Sequence, residues 1–389
     1  MTARGFPQRL RELQVPLTGI PLLLCMVAGW SLLALHGREI RSGAFLIGDC
    51  PYYASATVSL WHDHDLNLEN QLRGGLVVHQ KQVALGRGGE WYPKHPILMS
   101  VFSIPLYAAF GTAGFLIFNM LMMTLLAVIL WAICRLYVSP GTATAAVALV
   151  VGGSFLRAYL YDYSADVFSA VLVLGGVFLI LKRGNFAGGL VLGVSVLAKV
   201  TNLFISLLVL GLLCFRRPRT SVLAAGAGLL PGVTLWMLVN LAMFGSPTTT
   251  GYDRTIVLQE GAVTTVSHRG FFDLPLLEGI RGQLLDPKAG ILTTSPLLLL
   301  ALPGLVPLFR RHRWDGLLFL GISEFLFLLF STYRWWFTTR YGPRFLMVPV
   351  ALTAVPMALA LDGFRKTLLS AWEARGAALW ASKIRRARG

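Results

Sequence analysis

The sequence predicts an all-α, polytopic membrane protein of about ten transmembrane helices, with a large first extracytoplasmic loop that carries juxtamembrane helices. Three observations predict it. Of 389 residues, 55% are hydrophobic and 13% charged, about half the roughly 25% charge of a soluble domain. The mean hydropathy is positive. Apolar runs of about 17 to 25 residues, long enough to cross a bilayer as helices, recur along the chain and are separated by its charges.

The predicted spans lie at 17–36, 114–134, 142–158, 165–181, 186–199, 201–215, 220–244, 290–309, 316–332 and 344–361. Arg4, Arg9 and Arg11 precede the first, but it runs into His36, Arg38 and Glu39 without a small-residue cleavage site. It is therefore kept as a span and not a removed signal. The runs 186–199 and 201–215 are short and meet at Lys199, as a bent pair would. The apolar segment 96–110 begins with Pro96 and contains Pro105; it is placed at the interface by the distribution of Lys and Arg. That placement puts both termini in the cytoplasm. The inner side then holds 19 basic and 4 acidic residues, the outer side 15 and 13, and Glu324 falls inside a span. The expected organisation is a transmembrane domain over 1–361, with outer loops at 37–113 and 245–289, and a basic cytoplasmic tail over 362–389. The tail carries Trp372 and Trp380 and suits a helix lying on the inner leaflet. The expected location is the plasma membrane.

A net charge of +16 does not indicate nucleic acid, because the basic residues punctuate apolar runs instead of sharing one solvated face. Cys25, Cys50, Cys134 and Cys214 are far apart and form neither a disulfide framework nor a CxxC site. P-loop, HExxH and GxSxG patterns are absent.

The chemistry gathers on the outer face. Asp49 opens Gly48-Asp49-Cys50-Pro51-Tyr52-Tyr53, just before an expected helix from Pro51 to Trp61. Asp before Pro is a helix-cap signal, and a carboxylate there is also a candidate general base for a hydroxyl. Asp63, His64 and Asp65, with Asn67, Glu69 and Asn70, form a polar cluster suited to a divalent metal, to sugar hydroxyls or to a solvated turn. Lys94 sits where the first loop re-enters the membrane, and Lys199 within the apolar region; ionisable groups at such depth are functional candidates. Asp162 and Asp166 share another outer turn. The stretch Tyr333 to Arg344 carries Arg334, Arg340 and Arg344 among five aromatic residues; guanidinium groups suit bidentate phosphate binding, so the stretch fits a lipid-phosphate clamp.

These residues resemble the GT-C superfamily of membrane glycosyltransferases, whose aminoarabinose transferases and protein O-mannosyltransferases use polyprenyl-phosphate sugars. The resemblance rests on Asp49 with Tyr52 and Tyr53, the stretch Asp63 to Asn70, and Tyr92-Pro93-Lys94-His95-Pro96 opening a short helix that ends at Phe110-Gly111. It continues through Phe244-Gly245-Ser246-Pro247, Gly251-Tyr252, Gly290 to Pro296, and Tyr341-Gly342-Pro343-Arg344. It implies transfer of a hexose or pentose from a polyprenyl-phosphate donor to an acceptor hydroxyl, with inversion. Asp49 would be the base, with Lys94, Arg340, Arg344 and Lys199 on the donor phosphate. Tyr52, Tyr53, Asp63, Asp65 and His95 would line the sugar and acceptor site. The better-known members carry two adjacent acids in this loop, whereas Cys50 and Pro51 follow Asp49; Asp162 and Asp166 are the candidates for the second. No cofactor is indicated. A divalent metal is compatible with the carboxylates but is not called for by any ligand spacing. The implied partners are the lipid-linked donor, a lipid or cell-envelope glycan acceptor, and membrane lipids. The alternatives from other classes are a lipid or solute transporter and an inactive GT-C-like partner protein.

Overall fold

The computed structural model describes residues 45–75, 82–259, 262–337 and 342–388. The predicted first span and Arg340 lie outside them. The chain is a helical membrane protein. Four described helices are long and apolar enough to cross a bilayer, or five when one bent pair is taken as a single span. Several of the predicted runs are shorter or broken, so among the described residues length and composition support four or five of the expected ten spans.

The first loop opens with α1 (Cys50–His62), which carries Pro51 in its first turn, and α2 (Glu69–Arg73). After strands β1 (Val83–Leu85) and β2 (Trp91–Pro93) comes α3 (Leu98–Phe110). At 13 residues α3 rises about 20 Å, short of a hydrocarbon core of about 30 Å, and it leaves Phe102 and Phe110 exposed. Small side chains bring α1 and α3 together. The Thr57 hydroxyl donates to the Ser100 carbonyl at 3.1 Å, the Ser100 hydroxyl donates to the Tyr53 carbonyl at 2.8 Å, and the Ser103 and Tyr163 hydroxyls lie 2.6 Å apart. This buried network satisfies its own polar groups and fixes the start of α1.

The bundle follows as α4 (Ala113–Cys134), α5 (Pro140–Gly153), α6 (Ala165–Leu181), α7 (Asn185–Val196), α8 (Asn202–Arg216) and α9 (Arg219–Phe244). α7 and α9 touch backbone to backbone: Gly189 and Gly193 on one face Gly228 and Gly232 on the other, and a Cβ at any of them would run into the partner helix's main chain. Small residues four apart are how membrane helices approach closely where the hydrophobic effect cannot drive them together. The outward face of α9 presents Leu223, Leu230 and Leu238, each more than half exposed, as lipid-facing residues would be.

Two predicted spans are broken. The run 142–158 bends by 72° between α5 and the 3-10 turn Phe155–Tyr161. The run 290–309 divides into α11 (Ile291–Thr294), a 3-10 turn (Pro296–Ala301) and α12 (Leu302–Arg311), after α10 (Leu276–Leu285). The breaks meet: the Phe155 amide donates to the Ser295 hydroxyl at 2.9 Å, so the second interruption supplies a polar partner for the backbone of the first, as non-helical backbone at membrane depth requires. α13 (Arg313–Ser331), α14 (Met347–Leu352) and α15 (Ala354–Arg388) complete the chain. α15 passes residue 361 without a break, so the expected boundary between span and tail is not a change of element.

The all-α expectation also needs correcting. A four-stranded antiparallel sheet of order β2-β1-β3-β4 joins the two long loops, with β3 (Thr255–Gln259) and β4 (Ala262–Val266) from the second. Ala84 pairs with Thr255 across the loops. At three residues each, β1 and β2 are too short to show an alternating pattern in sequence, and the five-residue β3 and β4 do not alternate.

Candidate active site

The sheet and the α1 network bring distant loops to one place. β2 ends at Pro93 and hands the chain to Lys94 and His95, both buried. Gly251 lies so close to the Lys94 backbone that any Cβ there would collide with it; this closeness seats Tyr252, whose hydroxyl is 2.9 Å from His95 Nδ1. His95 Nε2 is 3.1 Å from the Gln82 side-chain oxygen. An acceptor beside Nε2 puts the ring proton there and leaves Nδ1 to accept from Tyr252.

Asp49 occupies the cap position of α1, but its side chain caps nothing. It reaches instead to Arg344, whose Nη2 donates to Oδ2 at 2.8 Å, with His95 Nε2 at 3.8 Å from Oδ1. Arg344 follows Gly342, which turns at φ +58° with Phe155 Cβ only 2.7 Å from where its own Cβ would be. The Arg344 Nε lies 4.0 Å from Asp166, and Asp166 pairs with Lys199 Nζ at 2.5 Å. Phe345 stacks on Phe330 with centroids 4.5 Å apart, and both Lys199 and Arg344 lie 4.9 Å from its centroid. Asp162 stands a little aside; it accepts from the Cys50 thiol at 2.8 Å and the Tyr163 amide at 2.9 Å.

Electrostatics separates these groups. Burial alone would raise the Asp49 carboxyl, but the charges of Arg344 and Lys94 outweigh it and hold Asp49 well below the usual carboxylate range. Burial, only partly offset by Asp49, lowers the Lys94 ammonium to about 8. Burial likewise lowers His95 to about 3, so its imidazole is neutral at physiological pH. Desolvation raises the half-buried Asp162, outweighing its hydrogen bonds from Cys50 and Tyr163 and the charge of Arg344.

Three cavities meet here. One of about 400 Å³ includes Asp49, Cys50, Asp162, Asp166, Lys199 and Arg344 in its wall. A second, of about 590 Å³, shares Asp49, His95 and Arg344 with it and adds Tyr52, Lys94 and Trp335. A third, of about 430 Å³, is mostly apolar, with Phe204, Trp236, Leu329 and Phe330 leading to Lys199. Tyr252 and Phe345 line all three.

Of the residues singled out in the sequence, Asp49, Tyr52, Tyr53, Lys94, His95, Asp162, Asp166, Lys199 and Arg344 therefore gather around connected cavities. Asp63 and Asp65 do not line them. Asp65 accepts from the Ser59 hydroxyl at 2.8 Å and the Asn67 amide at 3.0 Å, and Asp63 from Asn70 at 2.9 Å and Gln71 at 2.6 Å, so the cluster is a self-satisfied turn. Arg334 pairs with Asp273. Tyr252, Gln82 and Phe345 were missed as site residues. Only Tyr252 carried a signal, its place after Gly251; Gln82 and Phe345 are ordinary until the sheet and the Phe330 stack bring them in. No group of three or more His, Cys, Asp or Glu side chains able to hold a metal occurs among the described residues.

Fold and site together define a helical membrane protein with a buried carboxylate–cation cluster between a polar and an apolar cavity. Comparison with solved structures finds the same fold in the oligosaccharyltransferase of Archaeoglobus fulgidus, solved in the apo form, at a TM-score of 0.51 and 12% identity, over 92% of this chain and 52% of that one. The likeness is of fold, and this chain spans about half the length of that protein. No protein-family profile matches the sequence, and no curated protein matches it.

Proposed function

We propose that the chain is a glycosyltransferase of the GT-C type. It moves a hexose or pentose from a polyprenyl-phosphate donor to an acceptor hydroxyl of a lipid or cell-envelope glycan, at the extracytoplasmic face and with inversion. The observation that carries this reading is the Asp49–Arg344 pair in the wall shared by the two polar cavities, with Lys199 and Phe345 lining both the first of these and the apolar one. An apolar cavity ending at Lys199 suits an isoprenoid tail whose phosphate reaches Lys199, Arg344 and Lys94. The polar cavities beside Asp49 suit the sugar and the acceptor.

The acceptor hydroxyl gives its proton to Asp49 as its oxygen bonds to the anomeric carbon. The bond from that carbon to the phosphate oxygen breaks, and polyprenyl phosphate leaves with the electron pair. The protein's task is to orient the groups and stabilise the anion. A carboxylate held at low pKa is a weak base, so the resting ion pair is not the reactive state. A donor phosphate that takes over the Arg344 guanidinium offsets the charge holding Asp49 down and raises its basicity just when an acceptor can use it. The cations that hold Asp49 down would thus serve the leaving group.

Asp49→Asn is expected to reduce transfer from a radiolabelled polyprenyl-phosphate sugar by about 10²–10⁴-fold, the usual worth of a positioned base, in membranes with wild-type expression. Undiminished transfer would remove the base. Movement of the labelled donor across the bilayer without chemical change would favour a transporter instead.

A further inference from the structure

α6 and α8 connect the site to the far end of the bundle: Asp166 stands in the first turn of α6, and Lys199 just precedes α8. At 17 residues, α6 carries the chain about 25 Å from the site. There it is followed by Lys182 and Arg183, while α8 ends in Arg216 followed by Arg217, and α13 opens with Arg313 and Trp314. These ends border a small surface cleft of about 20 Å³ lined by Leu181, Leu212, Leu213, Trp314, Arg216 and Arg217, so an acyl chain would lie along its lipid-facing surface and not inside it. The neighbouring Phe215 is 77% exposed, a side chain suited to lipid rather than water.

The cleft's charges are unbalanced. Asp315 is already engaged by Arg216 and by the Tyr137 hydroxyl. Arg217 feels repulsion from both Arg216 and Arg183, against attraction from the shared Asp315 alone. Backbone geometry adds a second observation. Arg183 holds φ +65° just past the end of α6, where the Gly184 amide closes on the Leu179 carbonyl at 2.8 Å. Glycine normally takes that left-handed position because it carries no Cβ. Here an arginine occupies it at a conformational cost and sets a further cation beside the other two.

An apolar groove with a surplus of cations at its mouth, at the end of a membrane bundle, matches an acyl chain joined to an anionic head. We infer that this cleft binds an anionic phospholipid, with its phosphate between Arg183 and Arg217 and an acyl chain against Leu181, Leu212 and Trp314. The inference is independent of the glycosyltransferase reading.

The test is native mass spectrometry of the full chain in detergent, titrated with phosphatidylglycerol, phosphatidylcholine and inorganic phosphate. Wild type is expected to prefer phosphatidylglycerol. Arg183→Gly combined with Arg217→Gln is expected to weaken that binding roughly 25-fold, at about 1 kcal/mol per basic residue near a membrane surface. Arg183→Gly relieves the left-handed strain, so an undiminished melting temperature would exclude unfolding as the cause. Equal binding of the two lipids, or unchanged phosphatidylglycerol binding in the double variant, would overturn the inference. So would competition by inorganic phosphate as strong as that of the lipid, which would show that the cleft takes a free anion.

Discussion

Two acidic stretches flank α1, and they differ in where their partners come from. Asp63 and Asp65 are exposed and satisfied by side chains and amides within eight residues. Asp49 is half-buried, leaves its own helix uncapped and pairs with a residue 295 positions away. Read in sequence, the denser cluster is the more conspicuous. Local partners reduce a carboxylate to a turn element, whereas a distant cation in a partly desolvated place leaves it poised for exchange with a ligand. The difference teaches that a candidate acid is better judged by how far its counter-ion has come than by how many acids surround it.

Three variants test this contrast, the largest expected effect coming first. Arg344→Ala is expected to lower transfer by about 10²–10³-fold, the usual cost of losing one donor to a developing anion, when turnover is measured at saturating donor; a loss below tenfold would place the phosphate elsewhere. Lys94 should set the alkaline limb of the pH profile. It must be charged to hold a phosphate, and burial lowers it to about 8, so activity should fall as pH rises through about 8, and Lys94→Arg should carry the fall to higher pH because guanidinium stays protonated. An unchanged limb in that variant would detach Lys94 from the reaction. Asp63→Asn with Asp65→Asn is expected to leave transfer within about twofold and to cost at most about 1 kcal/mol of stability, the worth of ordinary exposed hydrogen bonds; a loss comparable to that of Asp49→Asn would erase the distinction.

Much of the fold was legible because the bilayer imposes a simple rule on apolar length. The runs 114–134 and 220–244 reappear as α4 and α9 within a residue at each end, and 96–110 appears as the short α3. What length could not reveal was interruption. Predicted spans break at Ser154 and Ser295, where the Ser295 hydroxyl accepts from the freed Phe155 amide, a pairing invisible until both are in place. The Gly189–Gly193 and Gly228–Gly232 pairs are local in spacing but acquire meaning only face to face. In the site, charged residues stood out because charge is rare in this chain. Gln82 and Phe345 did not, since their roles depend on a loop-to-loop sheet of three- and five-residue strands and on one aromatic stack.

The central claim is that Asp49 and a donor phosphate compete for the same guanidinium, and binding tests it more directly than turnover. Affinity for polyprenyl phosphate lacking a sugar should be compared in wild type and Asp49→Asn. With the carboxylate charge removed, Arg344 is released, and the variant is expected to bind the lipid phosphate several-fold more tightly while its transfer is greatly reduced. Weaker binding by the variant would contradict the account, because it would mean that Asp49 and the phosphate do not share Arg344.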